Sequence, residues 1–225
     1  MLNILRYTLF ILLLLSISIF NDCKKESNLP VDGDGNVYDT VVIGTQVWLA
    51  ENLKTTKYNN GVSIPLVTDN NQWVSMSSAA FCWHGNNPAI VKKDFGALYN
   101  WWAAKVSFLC PMGYHVPSNE EWQTLIDYLG GEEIAGDKLK ATGTQFWGSG
   151  NNATNETGFT AMPGGMRSPN DGTFRELMGS GSWWSSSLGI DNDSGWRVGM
   201  YDSLSGAYLM GLSKKAGYSV RCIKD

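Results

Sequence analysis

The chain has 225 residues, 43% of them hydrophobic, with 25 Gly and 10 Trp but only 17% charged side chains. That apolar content can fill one large core, and abundant glycine among few charges fits many turns and short strands better than a helical bundle. A net charge of −4 without a basic block excludes nucleic acid as a partner class, because phosphate binding needs a concentrated cationic face.

Residues 1–22 read as a signal peptide. Arg6 supplies a short positive segment, and Tyr7–Phe20 an apolar run shorter than the roughly 20 residues of a membrane span. Cys23 follows almost at once. The segment resembles a bacterial lipoprotein signal, in which that cysteine becomes the lipid-bearing start of the mature chain. It departs from the pattern at Asp22, where a small residue is usual, and at Phe20, where leucine is. An ordinary signal peptide or an uncleaved anchor is the alternative. On the lipoprotein reading, residues 23–31 form a polar tether and the membrane is a partner through lipid on Cys23. The protein is then exported and held at the outer membrane or cell surface. Export permits disulfides. Three further cysteines remain, Cys82, Cys110 and Cys222, none in C-x-x-C spacing. Joining Cys110 to Cys222 would close a long loop, worth about 4–5 kcal/mol in the chain-entropy model. Three buried apolar thiols are the other possibility.

The folded domain spans residues 32–225. Asp34-Gly35 signals a hairpin turn, and Thr40–Ile43 and Gln46–Leu49 read as strands joined at Gly44-Thr45. Asp32, Asp34 and Asn36 match the first three ligand positions of a calcium loop. Ile43 then occupies position 12, where a bidentate Glu is required, so the segment reads as a turn. Cys82 and His84 offer a thiol and an imidazole, but no third orienting group is evident and no catalytic set emerges. Phe95–Phe108 reads as a buried helix. Ser118 is placed as an N-cap and Glu121 completes a capping box. Trp122, Leu125, Ile126 and Leu129 follow on one apolar face, and Gly130-Gly131 end the helix. His115, before Pro117, reads as a hydrogen-bonded structural residue. Glu132–Ala141 forms a shorter helix with Ile134 and Leu139 as its apolar contacts. The loop at 148–165 carries two N-x-[ST] sequons, at Asn152 and Asn155, which read as loop chemistry. Trp183-Trp184, Trp196–Met200 and Tyr208–Leu212 are short strands, and Gly217–Ile223 is a closing strand carrying Cys222.

Six blocks in order carry a family resemblance: the opening GNVYDTVVIGTQVWLAENLKTTKYNNG, the central GALYNWWAAK and LCPMGYHVPSNEEWQTLIDYLGG, then KLKATGTQFW, NETGFTAMPGGMRSPNDGTF, WWSSS and GYSVRC. Together they resemble the Fibrobacter succinogenes major paralogous domain over roughly Asp32 to Asp225. The resemblance implies an α+β, C-type lectin-like fold with two main helices, about Gly96–Val106 and Asn119–Leu129, packed on small antiparallel sheets among many loops. It also implies a Cys110–Cys222 disulfide between the first helix and the last strand. The family's members are exported and surface lipoproteins without an established activity. Related lectin-like domains bind ligands on irregular loops before the last strands. A catalytic relative, the formylglycine-generating oxidases, binds copper through a cysteine pair, and Cys222 here has no such neighbour. The calcium–sugar motif of true lectins is absent too, so no metal and no cofactor is expected.

The candidate binding residues are therefore Asp191, Asn192, Asp193, Trp196, Arg197 and Tyr201, between Trp184 and Tyr208. They offer acceptors, a guanidinium and flat aromatic faces for a glycan or a protein ligand. The competing reading puts Trp183, Trp184 and Trp196 in the core, Asp and Asn in turns, and Arg167 and Arg197 against buried carboxylates. The function expected is a lipid-anchored surface module for ligand binding or adhesion. An exported enzyme and a structural envelope component are the alternatives.

Overall fold

The computed structural model describes residues 29–225. The signal peptide, the Cys23 anchor and tether residues 23–28 lie outside the described residues. The fold is α+β, with short strands throughout. β1 (Thr40–Ile43) and β2 (Gln46–Leu49) open the domain. α1 (Asn70–Ser75), β3 (Phe81–Cys82), α2 (Pro88–Val91), β4 (Leu98–Tyr99) and α3 (Trp101–Ala104) follow. Then come β5 (Tyr114–His115), α4 (Asn119–Tyr128) and α5 (Glu132–Leu139). β6 (Met166–Arg167), β7 (Phe174–Arg175), β8 (Ser180–Leu188), β9 (Ser194–Tyr201), β10 (Tyr208–Ser213) and β11 (Ile223–Lys224) complete it.

β11 lies between β2 and β5 in a sheet ordered β1-β2-β11-β5, with Ile223 opposite both Trp48 and His115. The end of the domain is thus paired with its first hairpin. The Cys110–Cys222 disulfide fastens the same corner. α4 starts with the capping box expected of it: the Ser118 hydroxyl accepts from the Glu121 amide, and the Glu121 carboxylate accepts from the Ser118 amide. Trp122, Leu125, Ile126 and Leu129 are buried from its apolar face. Trp122 packs on Trp48 at 4.8 Å between ring centroids, and Phe159 meets both rings edge-on.

The helix expected over Gly96–Val106 is not formed at that length. Gly96 takes a left-handed φ of 74° close against Leu53. Ala97 then donates to Leu53 O, and Tyr99 exchanges both backbone hydrogen bonds with Tyr218, so this stretch pairs as a strand. Helix begins only after Asn100, whose side chain accepts from the amides of Ala80 and Ala103 and so caps the single turn of α3. The second longer helix is α5. It buries Ala135 and Leu139, while Ile134 is exposed. The closing segment is regular only at Ile223–Lys224. Upstream of it, isolated bridges at Gly217, Tyr218 and Ser219 reach Arg167, Tyr99 and Trp183.

Candidate ligand-binding site

β8, β9 and β10 form a separate antiparallel sheet ordered β10-β9-β8. Its register sets Arg197 opposite Trp184 and Met210, Gly199 opposite Ser182, and Tyr201 opposite Ser180. Successive strand residues point to opposite faces, so Arg197, Gly199 and Tyr201 share one face and Trp196 takes the other. A methyl group on Gly199 would meet Arg197 Nη1 and crowd Met210, the ends of two flexible side chains, so the guanidinium lies where a side chain at 199 would begin.

The β6–β7 hairpin and Tyr218 cover this face and leave a cavity of about 240 Å³. Arg197, Ser182, Tyr201, Tyr218, Glu176 and Met166 are among its walls. Arg197 Nη1 donates to Ser182 Oγ at 2.7 Å, and Nη2 donates to Tyr201 Oη at 3.1 Å. The guanidinium lies over the Tyr218 ring, 5.1 Å from its centroid. Arg197 is only 6% exposed, its Nε has no partner, and among the described residues no carboxylate lies within ion-pair distance of it. A buried charge left so is costly.

Two other arginines are fully buried and differ from it. Arg167 donates from Nε to Gly172 O, from Nη1 to Val67 O, and from Nη2 to Thr68 O and Asn70 Oδ1. It is stacked between Trp73 and Phe174. Arg221 donates to Leu49 O, Phe159 O, Asn52 Oδ1 and Thr160 O, and burial pulls its pKa down to about 9. Its Nε is also unpartnered, but the side chain is sealed at 0% exposure. Neither Arg167 nor Arg197 satisfies a buried carboxylate, contrary to the competing reading. Arg167 and Arg221 knit loop carbonyls into the core, whereas Arg197 bonds two hydroxyl groups at a cavity wall.

The six candidate residues do not converge. Arg197 and Tyr201 share the cavity. Trp196, half-buried on the opposite face, lines a shallow cleft with Asn119, Glu120, Gln123 and Leu209. Asp191, Asn192 and Asp193 are exposed at the tip of the β8–β9 hairpin and act in its turn. The Ser194 hydroxyl and the Asp193 amide hold the Asp191 carboxyl below its ordinary range. Lys214 donates from its Nζ to Asn192 O and from its amide to Asp193 O. Strand alternation could have separated Trp196 from Arg197 and pointed to Ser182. Nothing local signals Glu176, Met166 or Tyr218, which come from other segments.

The remaining sequence candidates have structural roles. Cys82 is buried with Val67, Trp73, Ala80 and Leu98, and burial pushes its thiol up to about 12. His84 turns away, packs on Phe174 and meets Arg175 O at 3.3 Å, so no thiol–imidazole pair is assembled. Asp32 accepts from the amides of Asp34 and Asn36 and from Tyr38 Oη, as a turn residue does. Asn155 clasps Thr160 across its loop. His115 bridges Glu121 Oε1 at 2.8 Å and Asp225 Oδ1 at 2.6 Å. Burial opposes its charge, but these two carboxylates outweigh burial and raise its pKa. Among the described residues no group of three or more His, Cys, Asp or Glu side chains is placed to hold a metal ion.

Fold and cavity together define a disulfide-closed α+β domain with a buried arginine, held by two hydroxyl groups, at a cavity wall. The chain belongs to the Fibrobacter succinogenes major domain family, which it matches over residues 41–224. No curated protein and no solved structure matches it.

Proposed function

We propose that this protein is exported, anchored by lipid on Cys23 at the outer membrane or cell surface, and acts there as a ligand-binding or adhesion module. The finer architecture proposed is the C-type lectin-like one. Its support is the pairing of the first hairpin with the last strand, together with the disulfide that joins Cys110 to Cys222. A disulfide also suits an oxidising compartment. The observation that carries the binding role is Arg197: a guanidinium only 6% exposed, lining a cavity, with no carboxylate within ion-pair distance among the described residues. Folding alone gives little reason to keep such a group, whereas a ligand does.

Two measurements on the full chain test this. Cells expressing wild type or Cys23→Ser are fractionated and labelled with a radioactive fatty acid. Label on the wild type alone, with the variant released from the membrane fraction, is expected. Equal membrane retention without label contradicts the anchor. The detergent-solubilised full chain is then screened on glycan and protein arrays, where a signal lost in Arg197→Lys is expected. Silence of the wild-type protein on both arrays contradicts the binding role.

A further inference from the structure

We infer that the Arg197 cavity takes a carboxylate on a small hydroxylated ring, with a hexuronic acid unit as the fitting ligand class. The inference rests on the binding-module reading and specifies its ligand. A guanidinium has five N–H donors in a planar fork suited to two carboxylate oxygens. In Arg197 one is given to Ser182 Oγ, one to Tyr201 Oη and one to Met210 Sδ at 3.9 Å; Nε has no partner but is buried away from solvent, so the second Nη1 N–H and the one on the methionine sulfur are those left for a carboxylate. The other guanidinium lining the cavity, Arg175, is already ion-paired with Asp171. Arg197 is therefore the cavity cation without an ion pair, and an incoming carboxylate meets it across the wall from Glu176.

The rest of the wall recognises more than an anion. Glu176 lines the cavity, accepts from Ser180 Oγ at 2.7 Å through Oε2, and so offers a fixed acceptor for ligand hydroxyls. Its backbone is left-handed, with φ 61°, in the tight loop that leads to β8. The Ser182 and Tyr201 hydroxyls can donate or accept beside it. Tyr218, Met166 and Leu212 supply apolar wall against which the C–H face of a ring can lie. A bare carboxylate such as acetate leaves Glu176 and these walls unused. A neutral hexose leaves Arg197 unpaired. The volume of about 240 Å³ is below the roughly 300–1,000 Å³ of sites for drug-sized ligands, so one ring enters, alone or as the terminal unit of a chain.

The test is calorimetric titration of the detergent-solubilised full chain with sodium D-glucuronate, D-glucose and sodium acetate at constant ionic strength. Glucuronate is expected to bind at least about tenfold more tightly than either of the others, a difference of about 1.4 kcal/mol. Arg197→Lys, which keeps the charge but loses the fork, is expected to remove that preference, and Tyr201→Phe to weaken it several-fold. Should Arg197→Lys fail to fold, the Arg197 Nε resonance of the wild type decides the matter. It shifts with glucuronate and not with glucose. Equal binding of all three probes, or no glucuronate binding at millimolar concentration, overturns the inference. An array ligand that binds Arg197→Lys as well as wild type also overturns it while leaving the binding module standing. Silence on the arrays and in the titration together overturns both.

Discussion

The corner where the chain closes and the Arg197 face of the β8–β10 sheet are built on opposite terms. At the corner the polar side chains of Ser118, Glu121 and His115 have partners with a structural purpose. Glu121 alone serves three: its carboxylate caps α4 and meets His115, while its carbonyl accepts from Gln46 Nε2. The disulfide, the Ile223 pairings and the Asp225–His115 contact all join the last residues to earlier elements. On the sheet face a buried cation is held by two hydroxyl groups above Gly199. On the binding role proposed above, the difference separates groups kept for folding from a group kept for contact with a ligand. Residues of the first kind should lose stability when changed, and Arg197 should not.

The largest effect is expected at the disulfide. Its loop separates cysteines 112 positions apart, and the chain-entropy model assigns a closure of that length about 4–5 kcal/mol. Cys110→Ser with Cys222→Ser should therefore unfold at much lower urea in equilibrium denaturation. A midpoint unchanged from wild type would show that the corner is held without it. Arg167→Met comes next. It leaves the carbonyls of Val67 and Gly172 buried without their donor, and at about 1–3 kcal/mol for each unsatisfied group a loss of about 2 kcal/mol or more is expected in the same assay. Ser118→Ala removes one half of the capping box and should cost about 1 kcal/mol.

The smallest effect is at His115 and concerns pH. Its folded pKa is raised, so protonation favours the folded state. The stabilisation is fully present below the ordinary histidine value of about 6.5 and is lost as pH rises through the raised folded value. The imidazole and Asp225 are substantially exposed, so solvent screens the contact and the change is small. Urea midpoints measured from pH 5.5 to 8.5 should fall across that window in wild type and stay flatter in His115→Gln. Identical profiles would remove His115 from the corner's energetics.

Much of the corner was legible because its signals are local. Ser118 and Glu121 stand three apart, four apolar residues recur at helical spacing behind them, and the first hairpin turns at Gly44-Thr45. The strands of the last sheet were also readable, from aromatic and branched runs between glycine turns. The helix at Gly96–Val106 was misread because its apolar density suits a buried strand as well as a helix. The decision lay with distant backbone, at Leu53 and Tyr218. The site was legible in part. Arg197 and Tyr201 stand four apart on one strand and do meet, whereas grouping them with Trp196 ran against strand alternation. Glu176 and Tyr218 reach the cavity only through tertiary packing, which no spacing in the sequence records. The roles of Arg167 and Arg221 were equally hidden, since carbonyl partners carry no side-chain signature.

The most direct measurement compares Arg197→Met with Arg167→Met by urea denaturation at pH 7. Methionine fills comparable space without charge, and replacing a poorly paired buried ion by an apolar side chain is often neutral or stabilising by about 1–4 kcal/mol. Arg197→Met is expected to be as stable as wild type or more so, while Arg167→Met is strongly destabilised. A loss at Arg197 as large as that at Arg167 would contradict the account and make Arg197 one more structural arginine.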